Sequence, residues 1–459
     1  LEQSLTLPGL HHIADLDNSY ELHALGNAVR SFDEPLLSPF DIGFGPTLPK
    51  RETVENGIAQ ANVYFSPERF DAEREIFSKV WLFAGRVEEV AQPGDWFVKD
   101  VEICDASVII VNDRSEGIKA FHNVCLHRGM KLLWEPRGHN GLFTCPYHAW
   151  SFATDGTLKA LPDEENFPQV CKREQKLKPV SVDSWAGFLF INLDPHPQQT
   201  LEQFLGPISN KLIDAPFDAY PRSASLTSPM DANWKLGNEA SGEGYHVSSL
   251  HRKSAKGWAL PEDNPHSHSL GWEQVGPHLI TTLPSNPDFT VDLTARPIQA
   301  FAFMNQAQIT SNSDDAPDQE AQPSFSDHPD LNRPKAKNWG GDGFFLFPTG
   351  QIGVFPNGWW FNSYWPVAVD KSRWYARWYF CAPKTRRQRF AQECMMAMYR
   401  DVLTEDNFSI NGQHQGLASG ALEQVYFGYP EILLRHMSGI MQAAVDNRLG
   451  GEPERLAAE

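Results

Sequence analysis

Two short pairs, Cys125-Leu-His127 and Cys145-Pro-Tyr-His148, are separated by 17 residues. Thiolates and imidazoles at this loop spacing suit two metal groups. One is a tetrahedral zinc, which accepts all four side chains. The other is a two-iron, two-sulfur cluster, with Cys125 and Cys145 on one iron and His127 and His148 on the other; neutral imidazoles there raise the reduction potential. Gly129 and Pro146 would let the backbone come close to either group. A second constellation, Glu243, His246 and His251, lies in WKLGNEASGEGYHVSSLH. Two imidazoles and one carboxylate form a facial triad that leaves iron with open positions. The histidines are five residues apart, so an ideal helix does not align them; a bend near Gly242 and Gly244, or a helix end before His251, is expected. Taken singly, each histidine reads as an ordinary hydrogen-bonded helix residue.

These residues need elements to hold them. Ser66-Pro67 reads as an N-cap followed by proline at the first helical position, opening a helix that turns Phe70, Ile76, Phe77 and Val80 inward. From Trp81 to about Leu193, the runs WLFAGRV, WFVKDVEI, SVIIVN and GFLFINL alternate with Gly, Asp and Pro turns, the pattern of an antiparallel β domain. Both Cys/His pairs fall inside it. Strands return in GFFLFPTG, QIGVFPN, WWFNSYWPVAV and SRWYARWYFCA, with a hairpin turn at Asp370-Lys371. Their aromatic residues, Phe344–Phe347, Phe355 and Trp359–Trp365, could line an apolar pocket, although sheet core is the plainer role. Arg373 and Arg377 could balance a substrate acid, or form interstrand ion pairs. The helix after residue 385 carries Phe390, Met395, Met396, Met398 and Tyr399, a stripe that reads as core.

The expected division is an N-terminal extension and helix over residues 1–80, a β domain over 81–195 and a mixed domain over 196–459. Residues 1–60 are expected to wrap over another domain or subunit. Residues 305–338 read as an acidic surface insertion. The 459-residue chain has 14 Trp, 29 Phe and 11 Tyr, ample for folded domains. Its net charge of -19 disfavours nucleic acid and anionic membrane as partners. No apolar run reaches the roughly 18 residues of a membrane span. The first residues do not read as a secretory leader, and six cysteines interleaved with histidines favour metal binding in a reducing, cytoplasmic setting.

The stretch FHNVCLHRG…LFTCPYHAWSFATDGTL resembles the Rieske motif of Rieske non-heme iron ring-hydroxylating oxygenases, large-subunit type. Arg128-Gly129, Tyr147 and Trp150 all match, while Ala149 stands where a glycine is common. The match favours the cluster over zinc. NWKLGNEASGEGYHVSSLH resembles the mononuclear-iron motif of the same family. The resemblance implies an α+β architecture: an antiparallel β Rieske [2Fe-2S] domain and a helix-grip (START/SRPBCC-like) catalytic domain. It implies non-heme Fe(II) held by His246, His251 and a later aspartate, best matched by Asp406; Asp401 is a local competitor, and Glu405 reads as a capping or solvated carboxylate. Glu243 takes the place of the family's bridging aspartate, implying electron passage from a neighbour's His148 to His246. Asn238 and Glu239 stand near the iron pocket without an assigned role.

The implied activity is hydroxylation by O2 of an aromatic substrate, with or without a carboxylate. Monooxygenation or demethylation of a non-aromatic or quaternary amine is the alternative, and a non-enzymatic electron carrier is a third class. No glycine-rich dinucleotide fingerprint sits in a β-α-β setting, so NAD(P)H would act through a separate reductase or ferredoxin. The expected assembly is a homotrimer α3, or α3β3 with a small subunit.

Overall fold

The computed structural model describes residues 57–290, 294–310 and 324–449. Its helices are α1 (Pro67–Phe77), α2 (Leu201–Leu205), α3 (Trp234–Ala240), α4 (Val247–Leu250), α5 (Pro297–Thr310), α6 (Arg386–Ala418) and α7 (Ile432–Leu449). Ser66 caps α1 by accepting from the Arg69 amide, with Pro67 at the first turn, as the sequence predicts. Most of residues 1–60 lies outside the described chain; Ile58–Gln60 pairs antiparallel with Gln424–Tyr426.

A first antiparallel sheet of seven strands runs, in spatial order, Leu82–Arg86, Phe188–Asn192, Pro179–Trp185, Gly117–His122, Ala106–Asp113, Asp95–Val101 and Arg137–His139. A three-stranded sheet, Leu142–Thr144, Ser151–Ala153 and Leu158–Ala160, carries the second Cys/His loop. Alternation along Ala106–Asp113 explains how this strand serves two sides. Val108 and Ile110 face the main core, while Ile109 and Val111 face a smaller cluster containing Cys125, Cys145, Leu132 and Trp150.

The second antiparallel sheet also has seven strands, ordered Arg222–Met230, Lys371–Phe380, Gly358–Ala368, Gly350–Phe355, Trp339–Leu346, His278–Pro284 and Gly271–Val275. Along Lys371–Phe380 the period of two buries Ser372, Trp374, Ala376 and Trp378 and turns Arg373 and Arg377 to the other face. There Arg373 meets Glu102 at 2.8 Å and Arg377 meets Glu89 at 3.1 Å, so the ion-pair role holds for both. The main apolar core runs continuously from Val108 and Ile110 of the first sheet to Trp359 and Phe361 of the second. Phe83 stacks on Phe361 across that junction, with ring centroids 3.6 Å apart.

Helix α6 begins with a capping box between Thr385 and Gln388. Cys394, Met395 and Met398 press it onto Ala376, Trp378 and Phe380, so the methionine stripe is core. The expected insertion at 305–338 needs correction. Residues 305–310 complete α5, residues 311–323 lie outside the described chain, and Phe325 is fully buried against Tyr220. Burying a side chain of that size contributes roughly 1.5–3 kcal/mol, enough to anchor the returning loop.

Candidate metal centres and their cavity

The two Cys/His loops repeat one hydrogen-bond plan. Gly129 N–H donates to Cys125 O, and Cys125 N–H to Met130 O. Ala149 N–H donates to Cys145 O, and Cys145 N–H to Trp150 O. Each turn needs a left-handed residue, met by Gly129 at φ 76° and Ala149 at φ 57°. The thiols are buried, and the two Nδ1 atoms of His127 and His148 approach to 3.2 Å. Burial and the adjoining Cys145 push the Cys125 thiol up to about 11. Burial, His148 and Arg128 together lower His127, favouring the neutral ligand form. Trp150 stacks on His127 at 4.9 Å, and Tyr147 lies over His148 at 3.8 Å. His148 and Tyr147 form the exposed tip of the domain.

The second centre is assembled from three helices. Asn233 caps α3 and donates to Val369 O, tying the helix to the sheet hairpin. After Ala240 the chain turns through Gly242 and Gly244. A Cβ at Gly244 would stand 2.4 Å from the backbone Ser267 O, so that position demands glycine by close approach, while one at Gly242 would stand 2.2 Å from the Leu433 side chain of α7 and force it to shift. His246 and His251 then bracket the single turn of α4, the predicted helix end that lets both rings point one way. Asp406 comes from α6. Its Oδ1 lies 3.1 Å from His251 Nε2 and 3.6 Å from His246 Nε2, and the two Nε2 atoms are 3.2 Å apart. The three ligand atoms fall within 4.8 Å of one another.

The other ring nitrogens are occupied. Glu243 accepts from His246 Nδ1 and from its backbone N–H. Glu405 Oε2 accepts from His251 Nδ1 at 2.9 Å and from Ser254 Oγ at 2.5 Å. A carboxylate on Nδ1 fixes the tautomer and turns the Nε2 lone pair to a common point. Asp406 Oδ1 is buried and makes no well-aligned hydrogen bond among the described residues. An orphaned carboxylate oxygen beside two oriented imidazoles fits a divalent cation. Burial opposes charge on His251, but the carboxylates of Asp406 and Glu405 outweigh it and raise its pKa. A proton therefore competes with the metal for this nitrogen.

A cavity of about 400 Å³ reaches this centre. Its walls include His246, Asp406, Glu243, Glu239, Tyr64 and Tyr426, and come from α3, α4, α6, α7 and the segment Leu422–Phe427. The aromatic strands take the plainer of their two expected roles: Phe344, Phe345, Trp359 and Trp365 are packed core and do not line this cavity. Among the described residues, no lysine or arginine lines it. Asp401, the competing ligand, pairs instead with Arg400 on the surface. Asn238 is buried and bonds Gln351 and Pro348 O, a structural role.

Residues 217–447, half of the chain, match the ring hydroxylating alpha subunit (catalytic domain) family. The chain belongs to that family. Residues 80–177 match the Rieske [2Fe-2S] domain. A Rieske cluster and a mononuclear iron are characteristic of the family, and both ligand sets above suit them. The carnitine monooxygenase oxygenase subunit of Escherichia coli is 33% identical over 194 residues, 42% of this chain and 51% of that protein. The anthranilate 1,2-dioxygenase large subunit of Acinetobacter baylyi is 33% identical over 198 residues, 41% of each. The aligned stretches thus span about half the length of the curated relatives. Naphthalene 1,2-dioxygenase from Rhodococcus sp. shares the fold, with a TM-score of 0.63 over 84% of this chain and 94% of that one, at 21% identity. Among the described residues, no helix is long and apolar enough to cross a membrane.

Sequence reasoning missed Glu405 as the partner of His251. The signal was the acidic doublet Glu405-Asp406: consecutive helix residues point about 100° apart, so they can take opposite sides of one ring.

Proposed function

We propose that this chain is the terminal component of an oxygenase that hydroxylates a small organic substrate with O2. The observation that carries this reading is the convergence of His246, His251 and the orphaned Asp406 oxygen on one point, beside a cavity that His246 and Asp406 help to line. Electrons from NAD(P)H would arrive singly from a separate reductase or ferredoxin. Cys125, His127, Cys145 and His148 would hold the cluster that relays them, and His246, His251 and Asp406 the iron that activates dioxygen. Glu243 keeps His246 in the tautomer that presents Nε2, and its place on the cavity wall suits a hand-over from a partner's His148. We place an N-terminal extension at 1–80, the Rieske domain at 81–195 and the catalytic domain at 196–459, in a cytoplasmic homotrimer or an α3β3 assembly.

Two substrate classes fit the family: an aromatic ring and a quaternary amine. The cavity chemistry favours the second. Glu243, with Tyr64, Tyr426 and Phe427, offers a carboxylate and π faces to a cation, and no lysine or arginine among the described residues lines the cavity to pair with a substrate acid. Product analysis under labelled dioxygen separates the classes. One labelled oxygen with loss of an amine substituent supports the cation reading; a ring cis-diol with two labelled oxygens supports the aromatic one. Iron analysis giving fewer than three irons per loaded chain would sink both.

The hand-over between chains has its own test. Copies carrying His148→Ala are mixed and reassembled with copies carrying His246→Ala. Transfer between chains predicts partial recovery of product formation, because an intact cluster can serve a neighbour's intact iron. Failure to recover in reassembled mixtures points to transfer within one chain.

A further inference from the structure

Hydroxylation of a C–H bond by O2 breaks C–H and O–O, forms C–O and water, and takes up two electrons and two protons. Ring dioxygenation takes up the same electrons and protons while both oxygens enter the product. Neither metal-binding histidine at the second centre has a proton to spare, because Nδ1 of each is bound to Glu243 or Glu405. A group facing the cavity, alone or with water admitted to it, would supply them.

Glu239 is placed for this. It lies on the last turn of α3 and lines the same cavity as His246 and Asp406. Tyr64, itself buried, brings its hydroxyl to 3.1 and 3.0 Å from the two Glu239 oxygens. That contact locks the carboxyl in one orientation on the cavity wall. Glu431, just ahead of α7, lines the cavity as well and is half-buried. The charged and titratable groups around Glu239 are Tyr64, Lys235, Glu431 and, further along the wall, Glu243. Burial pushes Glu239 up to about 8, against the lowering effects of Tyr64 and Lys235 and with help from Glu431. Burial and the charge of Glu243 also raise Glu431.

We propose that Glu239 is the acid that delivers protons to the cavity, held by Tyr64 and reloaded by way of Glu431. The assignment rests on the oxygenase reading above. In the step, the Glu239 O–H bond breaks and its proton passes, directly or through a cavity water, to the oxygen being reduced. The carboxylate left behind takes a proton from Glu431, which regains one from solvent. The electrons come from the reductase, and dioxygen is the oxidant.

Infrared titration of the metal-free protein reads the acid itself. The wild-type protein is expected to show a protonated glutamate band at neutral pH that disappears as pH rises through about 8 and is missing from Glu239→Gln. Tyr64→Phe should move the midpoint upward, since the tyrosine hydrogen bond favours the ionised form. In the metal-loaded enzyme, single-turnover product formation should fall with rising pH at the same midpoint. Glu239→Gln should slow it by roughly 100-fold and erase that pH limb, with iron content and cluster spin-resonance signature unchanged. Absence of the band from wild-type protein at neutral pH overturns the proposal. So does a Glu239→Gln enzyme with the wild-type rate and pH profile. If Glu239→Gln fails to fold, the wild-type and Tyr64→Phe titrations still decide. A loaded wild-type enzyme that oxygenates neither substrate class, yet shows the band, overturns the oxygenase reading instead.

Discussion

Replacing Glu405 should weaken iron binding without any change to the three ligands. His251 is 3% exposed, and Glu405 Oε2 is the acceptor placed on its Nδ1. In Glu405→Ala the buried N–H has no partner, a cost of about 1–3 kcal/mol. Removing an outer partner from a metal-bound histidine lowers affinity by roughly 10–100-fold, or about 1.4–2.8 kcal/mol. The two routes agree, so a loss near 30-fold is expected. Glu405→Gln retains an acceptor oxygen for His251 and Ser254 but loses its charge. Because charge-assisted hydrogen bonds are about twice as strong as neutral ones, its loss should be nearer fivefold. Anaerobic competition with an iron chelator measures both, with the cluster absorbance confirming that the distant Cys/His loops are intact. Asp401→Asn, altering a surface carboxylate paired with Arg400, should bind iron like the wild type. Wild-type affinity in Glu405→Ala, or lost affinity in Asp401→Asn, would refute the assignment of these neighbouring carboxylates.

Ala149→Gly should stabilise the cluster-loaded protein: a left-handed alanine costs about 1–2 kcal/mol, glycine's chain entropy returns part of it, and a net gain of roughly 0.5–1 kcal/mol is expected in thermal unfolding. An unchanged or lowered melting temperature would count against strain at that turn. Glu73 accepts from Trp234 Nε1 and pairs with buried Lys235, fastening α1 to α3; Glu73→Ala should cost about 3–5 kcal/mol in chemical unfolding, because the ammonium is left unpaired. A loss below about 1 kcal/mol would place that pair in solvent. Fully buried His278 bonds Phe204 O and Phe347 N–H, and burial lowers its pKa from 6.5 to about 4. Its contribution is present above pH 6.5 and lost as pH falls toward 4, amounting to roughly 3 kcal/mol. The slope of stability against pH over that window should flatten in His278→Gln, and an identical slope would refute the point.

The chemistry-bearing residues were legible because their types are restrictive: few combinations besides a metal site place Cys125, His127, Cys145 and His148 in paired turns. Strand alternation from Ser372 to Trp378 and the Ser66-Pro67 cap were also readable, since each follows from local geometry. Glu405 was not, because its role exists only where α6 crosses the turn after α4. The position of the cavity was not legible for a related reason. Aromatic residues such as Trp359 and Phe344 fit both a pocket and a core, and only packing against the first sheet assigns them to the core. Glu239 was noticed without a role, since a carboxyl's protonation depends on enclosure and on Tyr64, 175 residues away.

That junction between sheets also bears on how the two centres would communicate. The ion pairs Arg373–Glu102 and Arg377–Glu89, and Lys99 over the Trp365 ring at 3.6 Å, join the sheets at their margins. Partly exposed pairs of this kind contribute at most about 1 kcal/mol each. The continuous core through Phe83 and Phe361 is the stronger bond, since each large side chain buried there contributes roughly 1.5–3 kcal/mol. Swinging the Rieske sheet toward its own Glu243 would open that core and expose several such residues, a cost well above the few kcal/mol that frequent domain motion tolerates. The His148–Tyr147 tip faces solvent, and its contacts among the described residues are to His127 and Arg128. A sheet fixed through the shared core, a tip with an exposed histidine and a Glu243 on the cavity wall therefore favour the proposed hand-over to a second copy over a mobile domain within one chain.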